Sequence, residues 1–366
     1  MREPSVDRRQ RILAAVQSRG AARVSELATE LEVSVVTVRR DVEQLARAGR
    51  LRRGHGVARS VVPVQQVPEA DGSPAPGGAV AIVVPERHAY LNEVVHGARI
   101  ALEEAGMRVV LHIAPQRTDL ARADLERILS GAARGLLIAP RWRSSSMEDA
   151  DHGWLAEAGV PTVLMERRPR AGSALHVMDS VCSDHWYGVH LAVEHLVSMG
   201  HRRVVLAARD DSPTARAVRS AFAEIAAARP EVEDWSVVLS APDAGPDPDD
   251  PPLPPLQLAG LLRERGATAA LLHGDVEALM LVQQLAEHGM RVPADCSVVA
   301  YNDVVAALGS PPLTAVAPPK AEVGRAAAEL LMQRLATVRP PGGWRPCRVE
   351  LLPELKIRGS TAPLSV

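Results

Sequence analysis

The stretch that most constrains this chain is VSVVTVRRDVEQLARAGRLRR, residues 33–53. Ser34 stands where a helix N-cap belongs, its hydroxyl able to accept a backbone N–H from the first turn. Val38, Val42 and Leu45 follow at i, i+4 and i+7, an apolar stripe that packs against the rest of a small domain. Val36, Thr37, Arg39 and Arg40 lie off that stripe. Arginine offers a rigid donor fork that fits phosphate oxygens and the O6/N7 edge of guanine. Gly49 stops the helix, and Leu51-Arg52-Arg53-Gly54-His55-Gly56 reads as a glycine-hinged hairpin carrying the further donors Arg52, Arg53 and His55. A solvated basic face on an ordinary helix is the competing explanation. Cap, stripe, stop and basic hairpin agree with one another, so we read the segment as a DNA reader.

Charge is divided in the same way. Residues 1–60 hold 13 Arg and no Lys against 7 acidic residues, a net of +6, whereas the whole chain is at −2. A basic head on an acidic body suits contact with a polyanion at one end only. At 366 residues the chain is too long for one typical core. MREPSVDRRQ has no apolar run behind its charges, and no stretch reaches membrane-spanning length, so a cytoplasmic protein with no membrane partner is expected. Cys182, Cys296 and Cys347 match neither a disulfide framework nor a zinc site and are read as buried free thiols. His185, His190 and His195 recur every five residues, which spreads them around a helix. The acidic PDAGPDPDDPPLPP lacks the glycine and closing Glu of a calcium loop and reads as a solvated insertion. No metal or cofactor is expected.

Taken in order, Asp7 to Ser18 forms a first helix with Ile12, Leu13 and Val16 inward, and Ser25 caps a second through Leu31. With the Ser34 helix these make a three-helix helix-turn-helix with a hairpin wing, assigned to residues 1–59. RILAAVQSRGAARVSELATELEVSVVTVRRDVEQLARAGRLRRGHGVA resembles the DeoR-type winged helix-turn-helix along its whole length. The shared pattern is Ser, Thr-x-Arg-Arg-Asp, Leu, Gly-x-Leu-x-Arg and a His-Gly wing. Val38 and Val42 depart mildly from the Ile and Leu usual there. Residues 60–78, rich in Pro and Gly, read as a linker.

From Ala79 the pattern changes to strand–helix alternation: AVAIVVP, a helix from Asn92, MRVVLHI, a helix near Ala121, GLLIAP, another helix and PTVLME. It restarts after Gly200 with RRVVLAA, an Ala-rich helix, WSVVL, a helix near Leu258, AALLHG, a helix from Asp275 and SVVAYND. Such alternation means parallel doubly wound sheets, here an α/β core of two lobes with a cleft at the carboxyl ends of the strands. Residues 79–366 are assigned to it, the first lobe about 79–184 and 312–338, the second about 185–311 and 339–366. SDHWYGVHLAVEHLVSMGHRRVVLA, ALLHGDVEALMLVQQLAEHGMRVPADCSVVAYND, SPPLTAVAPPKAEVGRAAAELL and LLPELKIRGST are similar, in order, to the effector-binding core of LacI/GalR regulators, itself similar to periplasmic sugar-binding proteins.

That resemblance implies three crossings between lobes, a homodimer, and an effector site drawn from Tyr90, Thr214, Arg216 or Arg219, Trp235, Asp275 and Asn302. Tyr90 and Trp235 are candidates to stack on a ring, with core packing as the alternative. The departures concern the ligand. Where the family has Gly-Tyr/Phe-Asp, this chain has Ala300-Tyr301-Asn302, an amide in place of a carboxylate, and Gly274-Asp275 replaces the family's Asn-Asp. Leu279, Leu281 and Val282 offer apolar surface for a dimer, or core for their own lobe. The reading is a ligand-responsive transcriptional regulator, a repressor by family precedent, acting on double-stranded operator DNA and answering a sugar-like small molecule, with a nucleoside as the alternative effector. An enzyme is disfavoured because the Gly-Thr-Thr phosphate signature of the usual DeoR partner domain is missing and no nucleophile–base set replaces it. A transport-type binding protein would have no use for the basic head.

Overall fold

In the computed structural model the described residues are 12, 21–24, 27–28, 33–47, 51–54, 57–60, 78–85, 89–114, 122–130, 133–142, 153–240, 256–337, 343 and 345–364. Residues 61–77 of the expected linker, His55, most of the first helix and the acidic insertion lie outside them. The chain divides into two compact units, Met1–Ser73 and Pro74–Val366.

In the first unit, helix α1 (Val35–Arg47) starts where Ser34 Oγ accepts the Thr37 N–H at 3.2 Å. Its stripe of Val38, Val42 and Leu45 is buried against Ile12, Val24, Leu27 and Ala28. Strand β1 (Ala21–Arg23), absent from the sequence reading, pairs antiparallel with β3 (Val57–Ser60), which also pairs with β2 (Leu51–Gly54). The wing is therefore a three-stranded sheet, and its last strand ends at Ser60, one residue past the expected boundary.

Among the described residues the second unit holds two six-stranded sheets. The first lobe contains β4 (Ala79–Pro85), α2 (Ala89–Glu104), β5 (Arg108–Ala114), α3 (Arg122–Ser130), β6 (Ala133–Ile138), β7 (Thr162–Met165) and β8 (Asp179–Ser183). All seven residues of β4 are buried, which suits a parallel strand covered on both faces. The second lobe contains α4 (His185–Ser198), β9 (Arg203–Ala208), α5 (Pro213–Ala228), β10 (Asp234–Leu239), α6 (Leu258–Arg265), β11 (Ala269–His273), α7 (Asp275–Glu287) and β12 (Ser297–Tyr301). Between β6 and β7, where a helix was expected, the described residues hold one short 3-10 turn, Gly153–Glu157.

The chain then changes lobes in a way that corrects the expected boundaries. β13 (Thr314–Ala317), assigned to the first lobe, pairs with β12 in the second. α8 (Lys320–Ala336) returns to the first lobe and buries Val323, Ala327, Ala328 and Leu331 among the residues of β4 and α2. β14 (Arg348–Leu351), assigned to the second lobe, extends the first-lobe sheet beside β8, and β15 (Glu354–Lys356) ends antiparallel on β13. The sheet orders are β14-β8-β7-β6-β4-β5 and β10-β9-β11-β12-β13-β15. Each crossing falls in a short connection between elements, so one apolar strand run fits either sheet until the helix packing decides.

Leu281 and Val282 are buried in the second-lobe core, with Leu279 packed against it. The apolar side chains that α7 exposes are instead Val276 and Met280, and the nearby Leu308 is 78% exposed. Cys182 and Cys296 are buried and their thiols pushed up to about 12 by that burial, while Cys347 is half-buried.

Candidate functional site

The first unit presents Ser34, Val36, Arg39 and Arg40 on the exposed side of α1, with Thr37 half-buried. Thr37 Oγ1 lies 2.8 Å from Ser34 Oγ, so both hydroxyls are held at the helix start. Helix N-termini favour phosphate through their free N–H groups. Arg52 and Arg53 lie on β2, an edge strand of the wing.

In the second unit a cavity of about 170 Å³ lies between the two lobes. Its wall comes from the carboxyl ends of strands, as open α/β sheets require. The first lobe supplies Pro85, Tyr90, Arg141, Glu166 and Arg167, and the second Arg209, Asp211, Thr214, His273, Glu277 and Asn302. Two helix starts are fixed beside it. Asp184 Oδ1 accepts the Tyr187 N–H at 2.9 Å, and Ser212 Oγ accepts the Ala215 N–H at 3.1 Å with Pro213 in the first helical position.

At the first-lobe end, buried Glu166 has left-handed backbone, φ 51. It accepts from the Tyr90 hydroxyl at 2.9 Å and the Ser183 hydroxyl at 2.8 Å. Burial pushes its carboxyl above the ordinary value, against those hydrogen bonds. Arg167 donates to the carbonyls of Pro140 and Glu166, and burial lowers its guanidinium to about 10. Lys320, buried at the start of α8, sits over the Tyr90 ring at 5.7 Å. At the second-lobe end, Arg209 donates to Asp211 and, at 3.5 Å, to Glu277. Burial raises Asp211, but the Arg209 hydrogen bonds outweigh it and hold the carboxyl low.

Tyr90, Thr214 and Asn302 are thus part of the cleft wall. The other predicted residues are not. Asp275 is buried and does not line the cavity; its Oδ2 accepts the backbone N–H groups of Val304, Val305 and Ala306 and so ties down the loop after β12. Trp235 packs edge-on to Phe222 at 6.3 Å in the second-lobe core. Arg216 reaches across to the Trp142 carbonyl at 2.6 Å, and Arg219 does not line the cavity. The sequence reading missed Glu166, Arg167, Arg209, Asp211, His273 and Glu277. Each of the first, third and fifth stands at or just past a strand's carboxyl end, which is the signal that could have found them.

A two-lobed core with a polar cleft, joined in one chain to a winged helix-turn-helix, defines a ligand-responsive DNA-binding transcriptional regulator. Residues 8–64 match the DeoR-like helix-turn-helix domain and residues 193–361 the periplasmic binding protein-like domain. The second unit has the fold of solved LacI family transcriptional regulators, here following a DeoR-like helix-turn-helix in the same chain. It is similar to the HTH-type transcriptional repressor PurR of Haemophilus influenzae (strain PittEE), 27% identical over 76% of this chain and 80% of that one. It is also similar to the arabinose metabolism transcriptional repressor of Geobacillus stearothermophilus, 25% identical over 85% of this chain and 83% of that one. The crystal structure of the lac repressor dimer bound to operator and the anti-inducer ONPF superposes with a TM-score of 0.62 at 21% identity, covering 80% of this chain and 96% of that one. No helix among the described residues is long and apolar enough to cross a membrane.

Proposed function

We propose that this chain is a homodimeric repressor that releases operator DNA when an uncharged, polyhydroxylated molecule of the monosaccharide class fills the cleft. The observation that carries this reading is the charge balance of the cleft wall. Arg141, Arg167 and Arg209 face Glu166, Asp211 and Glu277, so no net charge recruits an anion. Hydroxyl, amide and imidazole groups from Thr214, Asn302 and His273 remain to hydrogen-bond a neutral ligand. The cavity, about 170 Å³, is smaller than the roughly 300–1,000 Å³ of drug-sized sites, which suits one sugar ring. The similarity to a repressor of arabinose metabolism supports the same class. Exposed Val276, Met280 and Leu308 on the second lobe supply apolar surface for a second copy.

A thermal-shift panel of neutral aldoses, their phosphates and nucleosides tests the reading. A bound ligand at 100 times its dissociation constant adds about 2.7 kcal/mol to stability. Neutral sugars are expected to raise the melting temperature. A shift confined to the phosphates would contradict the reading.

A further inference from the structure

His273 ends β11 in the middle of the second-lobe sheet, between β9 and β12. Its β12 partner in register is Tyr301, so Asn302 stands one residue beyond it on the same edge. Both line the cleft. His273 is only 6% exposed, yet neither Nδ1 nor Nε2 has a hydrogen-bond partner, and Asn302 Oδ1 is also without one. Three of the eight such buried atoms among the described residues therefore sit on these two neighbours. Buried polar groups are otherwise almost always satisfied, so an imidazole here costs stability that a leucine would not. The ring is held by Tyr301 at 6.0 Å, whose hydroxyl lies 3.1 Å from His185 Nδ1. Burial keeps the imidazole neutral at physiological pH, lowering it to about 4, so it offers one donor and one acceptor. The nearest charges are already engaged, Arg209 with Asp211 and Glu277.

An acceptor nitrogen beside an acceptor carbonyl oxygen asks the ligand for donors. Hydroxyls supply them; carboxylates and fully ionised phosphates do not. We propose that His273 sets effector specificity at this end of the cleft, reading hydroxyl groups of a sugar ring together with the Asn302 carbonyl oxygen. The inference rests on the cleft being a neutral-sugar site, and it adds a residue that no motif in the chain marks.

The test uses the full-length protein. D-ribose, L-arabinose, D-glucose and D-galactose are titrated calorimetrically, and the tightest binder and its monodeoxy analogues become the probes. His273→Leu is expected to weaken the parent sugar by about 10- to 100-fold. His273→Gln, which keeps a donor and an acceptor, is expected to hold within a few-fold of wild type. One monodeoxy analogue should bind wild type as weakly as the parent binds His273→Leu, and lose nothing further in that variant. The unliganded His273→Leu protein should melt no lower than wild type, because the replaced groups were unpaired. A sugar that binds His273→Leu as tightly as wild type would overturn the inference and leave the sugar site standing. If none of the four sugars binds wild type, the sugar reading falls and the inference with it.

Discussion

Arg216 of the second lobe donates from Nη2 to the Trp142 carbonyl of the first lobe at 2.6 Å. Thr214 and Arg141, two residues before and one before these partners, line the cleft, so the bond crosses beside the ligand rather than through it. Closure of two lobes around a ligand is a hinge motion, and a bond across the gap favours the closed form. Arg216→Ala is expected to weaken effector binding about five-fold, worth roughly 1 kcal/mol, with operator binding in the absence of effector unchanged. Calorimetric titration checks this, and an unchanged affinity would remove the bond from the closure mechanism.

Arg40 lies on the exposed face of α1, where a base edge is within reach of such a helix. Arg40→Ala should cost about 1–3 kcal/mol at its own base pair and relax specificity there. Arg52→Ala or Arg53→Ala should instead weaken all sequences alike and flatten the salt dependence. Fluorescence anisotropy against matched operators at several salt concentrations separates these outcomes.

Packing of α2 on α8 depends on two glycines. A Cβ on Gly97 would lie 2.0 Å from the Ala321 carbonyl oxygen, and one on Gly324 would lie 1.9 Å from that of Val94. Both obstacles are backbone, so either alanine must push the helices apart. Gly97→Ala and Gly324→Ala are each expected to lose about 1–3 kcal/mol in urea unfolding. Gly260→Ala in α6 is the control: its Cβ meets nothing within 4 Å. That variant should be neutral or slightly stabilised, since alanine is the better helix former.

Two buried imidazoles set an acid limit. Burial lowers His273 to about 4, with His185 and Arg209 reinforcing and Asp211 opposing it. Burial likewise lowers His185 to about 4, with Asp184 opposing and Arg167 reinforcing. The unfolded chain then binds more protons than the folded one between pH 6.5 and about 4. Stability is full above pH 6.5 and falls as pH drops through that window, by at most roughly 3 kcal/mol for each group. Glu166, raised by burial, works in the opposite direction and offsets part of the loss. Urea midpoints from pH 7 to pH 4 measure the net fall, and His273→Leu should reduce its slope.

Much of this was legible in the sequence because the deciding signals are local. The Ser34 cap and the Val38, Val42, Leu45 stripe fix α1 without help from other segments. Buried apolar runs such as AVAIVVP announce parallel strands in the same way. What failed depends on contacts far apart in the chain. β1 exists because it meets β3, and β13 joins the second sheet because β12 lies beside it. Asp275 resembles a ligand residue at a helix start, but three backbone N–H groups from residues 304–306 claim its carboxylate. Trp235 reads as a residue to stack on a ligand ring, but Phe222 lies against it. His273 carried only its place at the carboxyl end of a strand, and its lack of hydrogen-bond partners is visible only in the fold.

In the proposed function, occupancy of the cleft controls the grip on DNA. The direct measurement is anisotropy of a labelled operator held by the full-length protein while the tightest-binding neutral sugar is added. Wild type is expected to release the operator, and His273→Leu to bind it equally well yet need about 10- to 100-fold more sugar for release. A sugar that stabilises the protein but leaves operator affinity the same at saturation would contradict the account.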